Sequence, residues 1–206
     1  MTVSRKELAA PALTVAPLLL GATVVSDIGD ERVTLRITEV EAYEGKQDPA
    51  SHAFRGRTKR TEVMFGPPGH LYCYFVYGMH WCANITCQPA GSAAAVLLRA
   101  AEIVQGERVA RARTPTSLGT AKLASGPARL ARCLGLHGVH SGLDLLSRSS
   151  PVRLTRLAGV PDFRTGPRVG VAAAAGHPWR FWLPDEPSVS PYRAGGRRVL
   201  RQTGQP

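Results

Sequence analysis

The sequence lacks the motifs that mark several large enzyme classes. It contains no GxxxxGK[ST] phosphate loop, no GxGxxG after a strand, no HExxH and no GxSxG. Phosphoryl, hydride and zinc chemistry therefore lack their usual parts. No pair of histidine, cysteine or aspartate residues has a recognised ligand spacing, so we expect no metal site. Hydrolysis driven by carboxylates and binding without catalysis remain open.

Cysteine is scarce, with 4 residues in a chain of 206 and no CxxC spacing. This pattern argues against a disulfide or zinc framework and favours small buried thiols in a reducing compartment. No apolar run reaches the length of a membrane span. Pro11 and Pro17 interrupt the apolar stretch near the N-terminus, which argues against a signal peptide. We therefore expect a soluble, cytoplasmic protein.

Negative charge is also in short supply. Lys and Arg number 26 against 15 Asp and Glu, which gives a net charge of +11 and a pI near 10.3. A small domain with this excess favours a polyanionic partner, of which nucleic acid is the commonest. Charge alone leaves nucleic-acid binding and a merely basic surface equally open. The length fits one domain, 1–206.

Hydrophobic periodicity and turn residues divide the chain into short strands and a few helices. A helix ended by Gly21 precedes a hairpin of strands 22–26 and 32–43, and 70–76 with 81–88 forms a second hairpin that turns at Gly78. Further strands are predicted at 93–99, 152–157 and 179–183, and helices at 100–113 and after Pro127. Residues 1–6 and about 193–206 are expected to fray. The pattern predicts a mixed α/β (α+β) domain.

The second of these strands carries acidic residues where apolar ones are expected. Apolar and polar residues alternate over 33–38, and the same period places Glu39, Glu41 and Tyr43 on the buried face. A buried carboxylate is costly unless it is hydrogen-bonded or lines a cavity, so the pattern indicates a site entrance or a change of face at a bulge. In the alternative, the intervening valine and alanine take over the core face and both glutamates are solvated.

A loop follows over residues 44–69, too rich in glycine and proline for regular elements. A loop of this length is usually functional or disordered, and its Met-Phe pair at 64–65 favours order. Arg55, Arg57, Lys59 and Arg60 could form a strip of phosphate contacts or simply a solvated surface. His52 by itself would ordinarily be structural.

Polar and aromatic residues in the later strands are further candidates. Tyr77 lies at the tip of the second hairpin, where it could stack on bases or fold back onto the protein. Asn84, in an apolar strand, is either satisfied by the backbone or placed to contact a ligand. Arg99 ends a buried strand and needs an acidic partner, for which Glu41 and Glu39 are the candidates.

A third candidate is the start of the helix after Pro127. Ser125 reads as its N-cap, followed by Gly126, and such an N-terminus can hold a phosphate with Lys122 beside it. Most capped helices bind nothing, so this pattern alone is weak.

Together these segments resemble a known family. The run EVEAYEG, DPASHAFRGRT and MFGPPGHLYCYFVYGMHWCANI is similar to the alkyladenine (3-methylpurine) DNA glycosylases. The segments LLLG, VLLRA, SGPARL, PRVG and WRF extend the resemblance over about residues 18–190. Members of the family are monofunctional enzymes that remove alkylated and deaminated purines from DNA. Their fold is a curved antiparallel sheet, a partly open barrel, with flanking helices and a protruding hairpin.

The resemblance implies roles for individual residues. Glu41 matches the general base that activates water, and Arg99 matches the arginine that positions this water. Tyr43, His52 and Tyr74 match the walls that sandwich an extruded base. Asn84 matches the residue that crowds the exocyclic amino group of normal guanine, and Tyr77 matches the residue inserted into the duplex. Met79 is expected to contact DNA as well.

The resemblance also sets expectations for cofactors and partners. It implies a monomer that acts on double-stranded DNA containing damaged purines, close to the nucleoid, without metal or organic cofactor. Neither Lys46 nor Lys59 matches a family nucleophile, so we expect hydrolysis without strand cleavage. The competing hypotheses are a non-catalytic binder of distorted DNA, which has no use for a carboxylate in its pocket, and a hydrolase of free nucleosides.

Overall fold

Eight strands form one antiparallel sheet in the computed structural model, which describes residues 3–155 and 159–196. The strands are β1 Thr23–Ser26, β2 Val33–Tyr43, β3 Leu71–Val76, β4 His80–Cys87, β5 Ala94–Gln105, β6 Val152–Thr155, β7 Arg164–Gly166 and β8 Arg180–Trp182. The helices are α1 Arg5–Leu8, α2 Ala12–Leu19, α3 Glu107–Arg113, α4 Thr120–Leu123 and α5 Pro127–Cys133. The predicted mixed α/β domain with an unclosed antiparallel sheet and flanking helices is confirmed.

The long strand β2 lies at the centre of the sheet. The strand order is β3-β4-β5-β2-β1-β6, and β8 pairs with both β2 and β7. One edge of β2 pairs with β5, while β1 and β8 share the other edge, with β8 opposite residues 39–41. The middle of β2 is therefore hydrogen-bonded on both sides, which fixes the direction of its side chains.

The bulge in β2 changes the face that this strand turns to the core. Its pairing with β5 is irregular between Ile37 and Glu39 and between Glu39 and Val40. Before the bulge the core residues are 33, 35 and 37, and after it they are 40 and 42. The predicted change of face is confirmed. The alternative is confirmed in one half, since Val40 and Ala42 take over the core face. Its solvated glutamates are wrong, because Glu39 and Glu41 are both fully buried on the opposite face.

Two apolar clusters support the sheet on opposite sides. The main cluster joins the sheet to α2, α3 and α5. In α2, Val15 and Leu19 are fully buried, and the chain turns at Gly21 with φ of 75°, as the glycine predicted. The smaller cluster packs the loop 44–69 against the strands and consists of Ala53, Met64, Phe65, Tyr72, Ala93 and Ala95. The predicted order of this loop is confirmed.

The predicted helix at 100–113 is wrong over its first half. β5 continues through Gln105, and its residues 100–105 pair with β2, so sheet pairing overrides the helical spacing. The helix α3 begins only after Gly106, whose φ is 82°. A Cβ at Gly106 would lie 2.1 Å from the Arg32 carbonyl oxygen, so a glycine is required at this strand-to-helix junction.

The chain ends differ from the prediction of fraying. Val3 is buried, and the Ser4 side chain caps α1 in a capping box with Glu7, so residues 3–6 are ordered and the prediction is wrong for them. At the other end, the Arg193 carbonyl accepts a hydrogen bond from the Gly170 N–H at 2.8 Å. Residues 197–206 lie outside the described part of the chain, as do the last two residues of the strand predicted at 152–157.

The surroundings of the cysteines agree with the sequence. All four cysteines are buried and free, as their apolar settings predicted. Burial raises the pKa of the Cys73 thiol to about 12 and that of Cys82 to about 11, which keeps both thiols protonated. Across residues 3–155 and 159–196, we find no helix with the length and apolar character that crossing a membrane requires.

Candidate active site

The bulge in β2 places Glu41 beneath the segment 167–191, where it is fully buried. Its Oε1 accepts a hydrogen bond from the Val169 N–H at 2.7 Å, and its Oε2 accepts one from the Tyr43 hydroxyl at 2.9 Å. Arg99 NH1 lies 3.4 Å from Oε1. These contacts leave an acceptor position free on Oε2, because each carboxylate oxygen has two lone pairs.

Burial and neighbouring charge act in opposite directions on Glu41. Burial raises the pKa of this carboxyl group, while Arg99, the Val169 N–H and the Tyr43 hydroxyl lower it in part. Burial also raises the pKa of Tyr43 well above its usual range, and the charge of Glu41 adds to the effect. Tyr43 therefore stays protonated and acts as the donor in this pair.

Glu39 has a different environment from Glu41. It accepts hydrogen bonds or ion pairs from Arg99 Nε at 2.8 Å, Arg180 Nε at 2.7 Å, Ser190 N–H at 2.7 Å and Ser190 Oγ at 2.9 Å. Three of these contacts converge on Oε1, and the Ser190 N–H lies on Oε2. Arg99 thus pairs with both predicted acidic partners, and Glu39 has one more donor around it than Glu41 has.

The aromatic residues predicted to hold a base surround one cavity. Its lining consists of Tyr43, Ala50, Ser51, His52, Met64, Tyr72, Tyr74, Asn84 and Ala95. His52 stands perpendicular to Tyr74 with ring centroids 4.4 Å apart, and its Nδ1 lies 3.2 Å from the Tyr72 hydroxyl. We call this cavity the aromatic slot.

The pKa of His52 is lowered, although part of its side chain is exposed. Burial, followed by the charge of Arg60, lowers the pKa of His52 to about 4. The imidazole is therefore neutral at neutral pH, and an aromatic slot with a neutral histidine does not repel a positively charged ligand.

Asn84 combines the two alternatives that its sequence position left open. It is buried, and its Nδ2 donates a hydrogen bond to the Tyr72 carbonyl at 3.1 Å. The same side chain lines the aromatic slot. Backbone satisfaction therefore holds the amide in a fixed orientation at the wall of the cavity.

A second cavity adjoins the aromatic slot and contains the buried carboxylate. Its lining includes the following residues: Glu41, Tyr43, Tyr74, Val76, Tyr77, His80, Cys82, Leu97, Arg99, Pro127, Ala128, Val169, Gly170 and Val171. Tyr43 and Tyr74 line both cavities. The acid and its arginine thus lie next to the aromatic slot, on the side where α5 begins.

The tip of the β3–β4 hairpin projects from the sheet. Tyr77 is 83% exposed and Met79 is 62% exposed. The Met79 N–H donates to the Val76 carbonyl at 3.2 Å, and φ is 54° at Tyr77 and 68° at Gly78, the pattern of a type I′ turn. Positive φ is unfavourable for a tyrosine, so the turn holds this side chain outward at a cost in backbone strain.

The basic strip in the loop is solvent-exposed. Arg55, Arg57, Lys59 and Arg60 all lie on the surface. Arg57 pairs with Glu62 at 2.9 Å, whereas the guanidinium of Arg60 lies 5.8 Å from the centre of the Tyr74 ring, at the entrance of the aromatic slot. None of these residues lines either cavity. They could therefore contact only a part of a ligand that lies outside the two cavities.

The N-terminus of α5 differs from the prediction. Gly126, with φ of 106°, is the N-cap, while Ser125 is fully buried and its hydroxyl has no hydrogen-bond partner in the described structure. The predicted Ser125 cap is therefore wrong, because the left-handed backbone requires glycine at the cap position. Lys122 is exposed, and its Nζ donates to the Val189 carbonyl at 3.2 Å.

The site contains a buried ion pair that the sequence analysis missed. Arg168, 1% exposed, pairs with Asp48 at 2.5 and 2.9 Å and donates to the Ala42 carbonyl at 3.0 Å. Its guanidinium lies 4.5 Å from the centre of the Tyr43 ring and 4.9 Å from that of Trp179. The pair ties the loop to the segment that donates the Val169 N–H.

Only one of the missed residues had a usable signal. Tyr72 is two positions before Tyr74, so strand alternation puts both on one face of β3. The Val169 donor is a backbone group. Arg168, which pairs with Asp48, and Arg180, which pairs with Glu39, each lie more than 100 positions away from their partner in the chain. Spacing rules do not reach such contacts.

Metal ligands are a separate question. In the part of the chain that the structure describes, no three His, Cys, Asp or Glu side chains converge on a point where they could hold an ion. The absence of metal and cofactor from the reaction remains a prediction.

Comparison with known proteins gives a consistent family match. The model of the family methylpurine-DNA glycosylase (MPG) matches residues 6–187. A Streptomyces avermitilis protein, provisionally named a 3-methyladenine DNA glycosylase, is 50% identical over 204 residues, covering 97% of this chain and 95% of its own length. A Leifsonia xyli subsp. xyli protein with the same provisional name is 52% identical over 192 residues, covering 89% of each chain. A third, from Mycobacterium tuberculosis, is 46% identical over 204 residues and covers 97% and 98%.

The match covers the segments that build both cavities. Glu41, Arg99 and the walls of the aromatic slot all fall within residues 6–187. The relatives extend over nearly the full length of this chain. The chain therefore belongs to the methylpurine-DNA glycosylase family of DNA-repair enzymes, which hydrolyse N-glycosyl bonds in base excision repair.

Proposed function

We propose that this protein extrudes alkylated and deaminated purines from double-stranded DNA and hydrolyses their N-glycosidic bonds. The expected lesions include 3-methyladenine, 7-methylguanine, hypoxanthine and ethenoadenine. The observation that carries this proposal is the buried Glu41 carboxylate, which keeps a free acceptor position beside an aromatic slot.

In the proposed reaction, a water molecule donates a hydrogen bond to Glu41. The water oxygen bonds to the anomeric carbon while the bond from this carbon to the base nitrogen breaks and its electron pair leaves with the base. Glu41 takes the proton of the attacking water, and Arg99 fixes the position of the carboxylate and the water. An abasic site remains in the strand.

The aromatic slot supports selection of damaged purines. Alkylation on a ring nitrogen makes a purine cationic, and cations are attracted to aromatic faces such as those of Tyr43 and Tyr74. The lowered pKa of His52 leaves this wall neutral, so it does not oppose a cationic base. The fixed Asn84 amide crowds the exocyclic amino group of a normal guanine.

The exposed elements support binding to the duplex. Tyr77, held outward by its turn, fills the gap that an extruded base leaves, with Met79 beside it. The basic strip contacts phosphates together with Lys122 and the backbone at residues 125–126. Lys59 is exposed and outside both cavities, which is consistent with hydrolysis and no Schiff-base step.

The deciding experiment compares the wild type with Glu41→Gln on duplexes that carry one 7-methylguanine or hypoxanthine. We expect single-turnover release of free base to fall by about 10²–10⁴-fold in Glu41→Gln, because the carboxylate acts as general base. Affinity for the lesion duplex should persist. Exposed Glu102→Gln, on β5, serves as the matched control and should keep wild-type rates.

Three other outcomes would count against the proposal. Equal base release by wild type and Glu41→Gln would remove the carboxylate from the reaction. Binding without any base release would favour the non-catalytic binder. Efficient trapping of a protein–DNA adduct with borohydride would contradict hydrolysis without a Schiff base.

A further inference from the structure

We propose that Glu39 is a positioning residue that holds Arg99 in register with Glu41 and takes no part in proton transfer itself. This inference rests on the proposed function, because it concerns how the arginine and the general base of that reaction are arranged. It assigns a role to Glu39, which the strand pattern alone could not distinguish from Glu41 as the catalytic carboxylate.

The contacts of Arg99 show how the arrangement is built. Its Nε lies 2.8 Å from Glu39 Oε1 and donates to Ser190 Oγ at 3.1 Å, while its NH1 lies 3.4 Å from Glu41 Oε1. Glu39 therefore holds the Nε side of the guanidinium, while its NH1 lies next to the Glu41 carboxylate. Arg99 lines the cavity that Glu41 shares, whereas Glu39 does not line it.

Arg180 balances this arrangement. Its Nε lies 2.7 Å from Glu39 Oε1, and its NH2 donates to the Ser190 carbonyl at 2.7 Å. Because Arg180 supplies a second positive charge to Glu39, Arg99 is shared between the two glutamates instead of being drawn wholly to Glu39. The side chains of Glu39, Glu41, Arg99 and Arg180 are all buried. Salt screens the interactions between buried charges only weakly.

Removing the charge of Glu39 and removing that of Arg180 should therefore shift the position of Arg99 in opposite directions. Neutralising Glu39 removes a negative charge close to Glu41 and releases Arg99 toward it. Neutralising Arg180 leaves Glu39 with Arg99 as its cation and draws Arg99 away from Glu41. The first change favours ionised Glu41, and the second disfavours it.

Other groups around Glu41 must be considered in a pH experiment. The ionisable groups that face it are Glu39, Tyr43, Tyr74, His80, Cys82 and Arg99. Burial raises the pKa values of Tyr43, Tyr74 and Cys82, so these groups do not titrate on the acidic side. His80 lines the same cavity, and each profile is therefore repeated in a His80→Gln background.

The test measures single-turnover release of 7-methylguanine from a duplex between pH 4 and 8 for the wild type, Glu39→Gln and Arg180→Gln. Because Glu41 must be ionised, activity is lost as pH falls through its pKa. We expect this acidic limb to move down by about one pH unit in Glu39→Gln and up by about one in Arg180→Gln. The plateau rate should fall by about 10- to 100-fold in Glu39→Gln, because Arg99 is no longer fixed.

Glu39→Asp is the charge-conserving companion variant. It should return the acidic limb to the wild-type position while the plateau stays low, since the shorter side chain keeps the charge and loses reach. Urea unfolding of each variant checks its stability. If Glu39→Gln does not fold, the other two variants still give different expectations: the limb moves up in Arg180→Gln and stays at the wild-type position in Glu39→Asp.

Two results would overturn the inference. A merely structural role would move the acidic limb in the same direction in Glu39→Gln and Arg180→Gln, because both loosen one buried network. Wild-type rates and profile in Glu39→Gln would show that Arg99 needs no such support. The proposed function fails separately, when the wild type releases no damaged base or Glu41→Gln releases it unimpaired.

Discussion

The carboxylate site and the hairpin tip hold their key residues in opposite ways. Glu41 is fully buried and fixed by Val169, Tyr43 and Arg99. Tyr77 is 83% exposed, in a turn where its φ is 54°. One region derives its precision mainly from partners distant in the sequence, and the other from the local turn.

The difference matches the tasks that we propose for the two regions. A general base must keep its geometry and its charge state, which a buried network of donors can fix. A wedge that enters a duplex must be free of protein partners before it meets DNA, so its direction can come only from the chain beside it. The buried site should therefore be sensitive to loss of partners, and the tip to loss of side-chain identity.

The largest expected effect concerns the buried ion pair behind Tyr43. Arg168→Met leaves the Asp48 carboxylate buried without its partner, and we expect the free energy of unfolding to fall by about 3–5 kcal/mol. Urea denaturation measures this change. The double variant Asp48→Asn/Arg168→Met removes both charges and should recover most of the loss. Equal instability of the single and double variants would contradict this account.

A smaller effect is expected at the hairpin tip, where one substitution should raise stability and lower base release. Tyr77→Asn places the preferred Asn-Gly pair in the type I′ turn, so the free energy of unfolding should rise by about 1 kcal/mol. Base release from a lesion duplex should fall about 10-fold, because one stacking contact is worth roughly 1–3 kcal/mol.

Tyr77→Phe is the control for this prediction. It keeps the ring and the strained turn, and should resemble the wild type in both measurements. If Tyr77→Asn is more stable and equally active, the tip is not a wedge, and the contrast with the buried site loses its functional meaning.

The smallest effect is expected at the basic loop. Arg55→Gln should reduce the slope of log affinity against log salt concentration by about 0.9, the value for one phosphate contact on B-DNA. Arg108→Gln, on α3, removes an exposed arginine that pairs with Glu31 and should leave the slope unchanged. Binding titrations at four or more salt concentrations test both, and equal slopes for the two variants would remove the loop from the interface.

Local sequence patterns predicted much of this fold. Both hairpins follow from alternation and from the glycine at 78, and β5 from its apolar run. The prediction failed at residues 100–105, where helical spacing competed with sheet pairing. That competition is decided by β2, whose free edge accepts these residues, and no local pattern contains this information.

The candidate site was predictable only in its parts. Glu41, Arg99 and the tyrosines were candidates from their types, their strand positions and the family resemblance. Their arrangement could not be read in advance, because the bulge at Glu39 decides which face the glutamates take. Tyr72 was within reach of the alternation argument, whereas Arg168 and Asp48 were not.

The sequence by itself determined the two hairpins, the turn at Gly78, the basic surface and the set of residues able to do chemistry, because these depend on neighbours within a few positions. Only the tertiary structure decided which glutamate is enclosed by donors and which one lines a cavity. Four donors from β5, β8 and the segment after it converge on Glu39, while Glu41 faces a cavity. The surroundings of a buried carboxylate depend on groups that meet only when distant segments fold together.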